Sequence, residues 1–337
     1  MNHQNTRFGI LALGLSAIVL VAQANALADA PPRAALVERI IATAEAAVAN
    51  PAFVSGPEWE AFKRTVRDPA LQALDDDAFR KAFNEATGPL PFTHFSLHWQ
   101  NPPGGAGDDE PAISLSWPRD SVALINVRMF EGDPMAFSGT MAEVIDRQPE
   151  AVILDLRGTP GGSFPTAVAL SRALSRDVID AGAFLTRAWF EKHGDYPTAE
   201  QYETIAPLEV LELDRFVETL QRDGAARLVL PAHEDPVFEG QLIVLTDGRS
   251  GSTCEPLVNR LKAGGATIIG ERTAGAMLSA EHFPMDETFK LFVPVADYVT
   301  PELIRLDRNG VMPTIEVPGE QALDRALALL EETGSNG

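Results

Sequence analysis

Two serines and the only cysteine of the chain stand together in "TDGRSGSTCEP", residues 246–256, just before an apolar helical pattern. Ser252 and Glu255 read as S-x-x-E, a capping box at a helix start. The same place suits a nucleophile, because N–H groups at a helix N-terminus converge on a developing oxyanion. Cys254 falls inside the first helical turn and reads as a small buried residue. A second stretch, "DLRGTPGGSFP" at 155–165, ends an apolar run with Gly158, Gly161 and Gly162. Glycines permit positive φ and close backbone approach. This turn therefore either redirects a strand into a helix or aims free N–H groups at a carbonyl oxygen. It lacks the GK[ST] of a nucleotide-binding P-loop. A third stretch, "FTHFSLHW", carries His94 and His98, which a strand would place on one face. They could form a metal pair, but no HExxH glutamate accompanies them and a structural histidine is the simpler reading. If a serine needs a base, the candidates beyond the N-terminal segment are His94, His98, His193, His233 and His282.

These groups must be positioned by elements that the apolar patterning reveals. Residues 1–28 carry Arg7, an apolar run over 8–21 and an A-x-A site at Ala26 and Ala28, the pattern of a cleavable secretory signal peptide. Residues 29–90 read as an N-terminal helical subdomain: "RAALVERIIATAEAAVAN", "GPEWEAFKRTV" and "DDDAFRKAFNEA" are amphipathic, the last two with acids near their starts. Residues 91–337 read as an α/β domain. "ISLSW" and "VALINVRMF" suggest a hairpin, and "AVILDLRG", "QLIVLTDG" and "ATIIGE" are short buried strands separated by helical patterns. A less regular, partly helical insertion occupies 187–235, and "GEQALDRALALLEE" forms a last helix.

The composition narrows the function. The chain has 337 residues and a formal net charge of −21, which repels phosphate backbones and argues against nucleic acid as a partner. One cysteine allows no internal disulfide, so an exported form relies on core packing. No apolar run after the signal segment is long enough for a stable membrane span. The expected location is the periplasm or the exterior.

Taken in order, the histidine strand, "DLRGTPGG", "SGSTCE" and "GERTAGA" resemble the C-terminal-processing (tail-specific) and tricorn-like serine peptidases, as does the late "FVPVADYVTPELIRLDRNGVMPTIEVP". The resemblance covers roughly residues 35–320. It implies a crotonase-like/ClpP-like βαβ core behind the helical subdomain, polypeptide substrates, and neither metal nor organic cofactor. It implies Ser252 as nucleophile, with Ser250 at a non-catalytic position. It also implies an oxyanion hole from the backbone of Gly161 or Gly162 and of Thr253. Two features set this chain apart from one branch. Ala276 occupies the place of the general-base lysine, and the interval between His98 and Val122 leaves no room for a PDZ domain. The other branch implies His94 as base and Asp307, where glutamate is usual, as orienting acid. A neutral imidazole takes the serine proton, and an acid fixes its tautomer. Glu281 or Asp286 are the alternative acids, and Lys262 or Lys290 the alternative bases. The rival function is a non-catalytic binding protein on the same core.

Overall fold

A computed structural model describes residues 32–102, 110–208 and 213–334. The expected signal segment lies outside the described residues. The contacts divide the chain into two compact units, Met1–Gly104 with Ser279–Ala296, and Gly105–Leu278 with Asp297–Gly337.

The first unit begins with α1 (Pro32–Ala47), α2 (Pro57–Val66), α3 (Pro69–Gln72) and α4 (Asp76–Ala86), followed by β1 (Ser96–Trp99). Helix α1 buries Leu36, Val37, Ile40, Ile41 and Ala44, a stripe with helical spacing. Asp75 caps α4 by accepting the Ala78 N–H at 2.9 Å. Trp59, Phe62, Phe83 and Phe95 form an aromatic core with edge-to-face contacts, Phe62 meeting Phe83 at 5.4 Å and Phe95 at 5.6 Å between centroids.

In the second unit follow β2 (Ile113–Arg119), β3 (Val122–Val127), α5 (Pro134–Arg147), β4 (Ala151–Asp155), α6 (Phe164–Arg172) and β5 (Ile179–Thr186). Next come α7 (Arg187–His193), α8 (Ala199–Thr204), β6 (Pro207–Leu208), α9 (Leu213–Asp223), β7 (Ala225–Leu230), β8 (Gln241–Thr246), α10 (Cys254–Ala263) and β9 (Thr267–Gly270). The chain then contributes β10 (Ser279–Pro284) and the first part of β11 (Phe289–Val299) to the first unit, where β10 and β1 pair antiparallel with β11. It closes with β12 (Ile315–Glu316) and α11 (Ala322–Gly334) in the second.

The sheet that positions the candidate site runs β12-β9-β8-β4-β3-β2. All its pairings are parallel except that of β2 with β3. Every residue of the central β4 is buried, as expected for a strand covered on both faces. In register, Asp155 at the end of β4 lies opposite Asn126 and Leu245, so β3, β4 and β8 release their loops at one edge. In open parallel sheets that carboxyl edge is where ligands bind.

The expected mixed α/β architecture is present, and the hairpin foreseen around residues 118–120 is β2–β3. Two local expectations differ. The strand foreseen over "FTHFSLHW" spans only Ser96–Trp99, and His94 precedes it with φ of +57°. Burial of Phe92 and Phe95 on the aromatic core imposes the local path there, overriding the alternating pattern. The strand β10, "SAEHFP", carries no apolar alternation and escapes pattern reading. Among the described residues no helix is long and apolar enough to cross a membrane.

Candidate active site

In the second unit, four strand-end loops lock together through their backbones. Gly161 C=O accepts the Phe130 N–H at 2.9 Å, joining the loop after β4 to that after β3. Thr159 C=O accepts the Gly251 N–H at 3.0 Å, joining the β4 loop to the β8 loop. Ser250 C=O accepts the Ala274 N–H at 2.9 Å, and Ala276 C=O accepts the Ser252 N–H at 3.1 Å, adding the loop after β9. Asp247, half-wrapped by its own turn, accepts the N–H groups of Gly158 and Arg249, each at 2.9 Å. Those bonds and its Arg249 contact outweigh burial, which alone would raise it, and hold the carboxyl below its ordinary range.

The three reactive-looking side chains in this region have distinct roles. Ser250 is fully buried; its hydroxyl donates to Leu156 C=O at 2.7 Å and accepts the Asp247 N–H at 3.0 Å. Cys254 is buried too, and its thiol donates to Thr159 C=O at 3.4 Å. Burial first, and the nearby Glu255 carboxylate second, push that thiol well above its ordinary range, opposite to what a nucleophilic thiolate requires. Ser252 is half-buried, and its Oγ has no hydrogen-bond partner among the described residues. It also adopts φ of +52°, a left-handed conformation that is strained for a residue with a side chain.

The capping box does not form. Thr253 is the N-cap of α10, and no side chain caps that helix. The Thr253 hydroxyl instead donates to Gly162 C=O at 2.6 Å. Glu255 is turned inward: Oε1 accepts the Thr273 hydroxyl at 2.6 Å and the Gly275 N–H at 2.8 Å, and Oε2 accepts the Ala276 N–H at 2.7 Å. Burial raises its proton affinity against the pull of these bonds. The left-handed turn at Ser252 explains the change, because it points that side chain away from the helix's first N–H groups. Glu255 thus pins the "TAGA" turn whose Ala276 carbonyl holds the Ser252 N–H.

The glycine turn leans directly on this serine. A Cβ on Gly161, at φ of +102°, would meet Ser252 Cβ at 2.6 Å and Thr253 N at 3.0 Å. A Cβ on Gly162, at φ of +134°, would meet Phe130 O at 2.4 Å. The N–H groups of Gly162 and Thr253 have no acceptor among the described residues, whereas the Gly161 N–H faces the Cys254 sulfur. Thr253 also borders a cavity of about 1040 Å³ lined by Phe164, Val168, Leu257, Arg260 and Leu230.

Asp307 lies in the loop after β11, fully buried. That loop is fastened to the "TAGA" turn, the Arg308 N–H donating to Gly275 C=O at 2.7 Å. Asp307 Oδ2 accepts from Arg305 at 2.8 Å. Arg305 also grips Asp297, its Nε lying 3.2 Å from Oδ1 and 2.9 Å from Oδ2, and Tyr196 donates its hydroxyl to Asp297 Oδ2 at 2.7 Å. The second unit therefore brings the Ser252 turn and the Asp307 loop together, and adds an ion cluster that sequence reading missed. Its only signal was the alternation "RLD" at 305–307.

His94 belongs to the first unit. Its Nδ1 lies 2.8 Å from the Thr93 hydroxyl, and its ring packs on Phe292 at 5.6 Å between centroids. Burial pushes its pKa down to about 4, so the ring is neutral over a wide range. His98 packs on the same Phe292, but hydrogen-bonds Ser96 at 2.7 Å and His282 at 3.2 Å. Thr93 has no sequence signal beyond its place next to His94. Of the alternative bases, Lys262 donates to Met312 C=O at 2.8 Å and Lys290, on β11, stands opposite His98 of β1 in register. Asp286 is consumed by the N–H groups of Thr288 and Phe289. Among the described residues no cluster of three or more His, Cys, Asp or Glu could hold a metal ion.

Ser252 thus stands in a left-handed turn between β8 and α10, at the carboxyl edge of a parallel sheet and beside two N–H groups that have no acceptor among the described residues. The chain belongs to Peptidase family S41, whose sequence profile matches residues 121–317. It is 27% identical over 190 residues to Carboxyl-terminal-processing peptidase 3, chloroplastic, of Arabidopsis thaliana, covering 54% of this chain and 30% of that protein. It is 28% identical over 169 residues to a Carboxyl-terminal-processing protease of a Picosynechococcus species, covering 50% and 32%. The chain thus spans about a third of the length of these curated relatives. In fold it is similar to a crystal structure of a candidate peptidase from Parabacteroides merdae, at a TM-score of 0.61 and 14% identity over 88% of this chain and 95% of that one. A lipoprotein from Streptococcus agalactiae gives a TM-score of 0.54 and 13% identity, covering 90% and 98%.

Proposed function

We propose that this protein is an exported serine peptidase that cleaves polypeptides through an acyl-enzyme on Ser252. The carrying observation is the Ser252 turn: a left-handed serine with an unbonded Oγ, flanked by the unpaired N–H groups of Gly162 and Thr253. In the first step Ser252 Oγ attacks the scissile carbonyl carbon, and the Oγ proton passes to His94. The carbonyl oxygen, now an oxyanion, receives the N–H groups of Gly162 and Thr253. His94 then protonates the leaving amine, the C–N bond breaks, and the acyl-serine remains. Water, deprotonated by the same imidazole, attacks the ester carbon; the C–Oγ bond breaks, the imidazolium returns its proton to Ser252 Oγ, and the carboxylic acid product leaves.

His94 suits the base role because burial keeps it neutral and its Nδ1 is engaged by Thr93. With Nδ1–H donating to the Thr93 hydroxyl, the Nε2 lone pair is the one left to accept the serine proton. Asp307 supplies the compensating negative charge as the ring becomes imidazolium. Ala276 takes no part in proton transfer; its backbone N–H and C=O are spent on Glu255 and Ser252. The parallel β3-β4-β8-β9 order supports a crotonase-like core. The cavity bordered by Thr253 has room for several residues of an extended chain. The relatives' names motivate a C-terminal processing role. Export rests on the signal-like residues 1–28.

The test is peptide hydrolysis by the purified protein against a mixed peptide library read by mass spectrometry. Ser252→Ala should bring turnover to background while the protein stays folded. Wild-type turnover in that variant overturns the assignment.

A further inference from the structure

The ion cluster behind Asp307 is the strongest feature that the proposed reaction leaves unused. Two buried carboxylates, Asp297 and Asp307, share one half-buried guanidinium. Arg305 spends its Nε on both oxygens of Asp297, a terminal nitrogen on Asp307 Oδ2, and another on the Asp307 backbone C=O at 3.3 Å. The arginine thus fixes both the backbone and the side chain of Asp307. A planar guanidinium can do this and an ammonium cannot, because only the former presents several donors in a fixed fork.

Charge arithmetic gives the cluster a second property. An arginine touching Asp307 alone would cancel the charge that an imidazolium needs. Asp297 compensates the arginine, so the three groups together carry −1 rather than zero. Arg305, the Tyr196 hydroxyl and the Tyr298 N–H, the last at 2.8 Å, favour the ionised Asp297 that this balance requires. Burial is the larger influence and raises the Asp297 pKa above its ordinary range, and three donors, Arg305 Nε, the Tyr196 hydroxyl and the Tyr298 N–H, pull against it.

We infer that Arg305 and Asp297 are positioning residues for the peptidase reaction: Arg305 fixes the Asp307 carboxylate, and Asp297 with Tyr196 restores the negative charge that Arg305 would otherwise cancel. This rests on the reading of Ser252, His94 and Asp307 given above. Tyr196 sits between α7 and α8, so the bond to Asp297 also ties the insertion after β5 to the end of β11, from which the Asp307 loop leaves. Charged and titratable groups that bear on Asp307 or on its arginine include Arg305, Asp297, Tyr196 and, across the "TAGA" turn, Glu255.

The experiment measures the rate of inactivation by a fluorophosphonate probe against pH, on the full chain, with a thermal melt on every variant. Asp297→Asn leaves Arg305 paired with Asp307 alone, so the cluster loses its net negative charge. The plateau rate should fall about tenfold, and the acid limb should move about one unit lower, because a cation of this kind disfavours the imidazolium. Arg305→Lys keeps the charge but loses the fork, so its rate should fall with the limb unmoved. Tyr196→Phe, the mildest change, should lose about two- to fivefold, the worth of one hydrogen bond. A merely structural role would lower the fraction of active protein in all three and leave the limb in place in all three. The inference is overturned if folded Asp297→Asn keeps the wild-type limb. If Asp297→Asn does not fold, wild-type rates in both Arg305→Lys and Tyr196→Phe overturn it. A wild-type protein that the probe does not label on Ser252 overturns the underlying reading, and this inference with it.

Discussion

Gly161→Ala is the smallest change that addresses the site's geometry. The added Cβ would stand 2.6 Å from Ser252 Cβ, 2.8 Å from Gly251 O and 3.0 Å from Thr253 N, where ordinary contact begins at 3.4 Å. Each neighbour is backbone or a first side-chain carbon, so none can rotate away. Either the serine or the glycine turn must shift by about 0.8 Å, the gap between the shortest of these distances and ordinary contact. A misplacement of about 1 Å at a reacting group costs about 10²-fold in rate. The φ of +102° adds a backbone penalty of roughly 1–3 kcal/mol to stability. Gly194→Ala is the control: φ is +79°, but nothing lies within 4 Å of the added carbon. It should cost about 1–2 kcal/mol of stability and leave the rate unchanged. Fluorophosphonate labelling rates, alongside circular-dichroism melts, separate the two effects. A folded Gly161→Ala protein labelled as fast as the wild type would refute the claim that this glycine sets the position of Ser252.

Other expectations follow from the same contacts. Ser250→Ala should lower stability by about 1–3 kcal/mol by stranding the Leu156 carbonyl and the Asp247 N–H, whereas Ser252→Ala, which breaks no hydrogen bond, should melt close to the wild type. Glu255→Gln should destabilise the fold by a similar amount and slow turnover, since an amide cannot accept all three donors of the "TAGA" turn; melts and peptide hydrolysis read the two effects. With His94 at about 4, the acid limb of kcat/KM should lie well below the pH 6–7.5 expected of an ordinary histidine base; a limb near 7 contradicts a base that is buried in this way. Between an unfolded value of 6.5 and a folded value of about 4 the unfolded chain binds more protons at His94. The stability contributed by the neutral ring is therefore complete above pH 6.5 and is lost as pH falls through that window, by up to roughly 3 kcal/mol, which urea midpoints at pH 7 and pH 4.5 would show.

The sequence reveals the parallel strands because each is a short apolar run buried on both faces, and β4 is the clearest case. It also marks Gly161 and Gly162, since only glycine tolerates their φ at such close approach. The Ser252–Glu255 spacing is misleading. Four residues of S-x-x-E fit a capping box, yet the left-handed serine sends Glu255 into the "TAGA" turn, a long-range partner that local spacing cannot show. His94 is similar: the alternation of "FTHFSLHW" suggests a strand face, but the aromatic core fixes Phe92 and Phe95 and leaves the histidine in a turn. Arg305, Tyr196 and Thr93 in loops, and Asp297 in β11, give no local signal because each acts through a partner, and charged or hydroxyl residues ordinarily read as solvated.

The central claim is that Ser252 is the nucleophile. Its most direct test is intact-protein mass spectrometry after treatment with a fluorophosphonate, followed by peptide mapping. One adduct per chain, located on Ser252 and lost in Ser252→Ala but retained in Cys254→Ala, is the result expected. An unlabelled wild-type protein, or an adduct that survives Ser252→Ala, would contradict it.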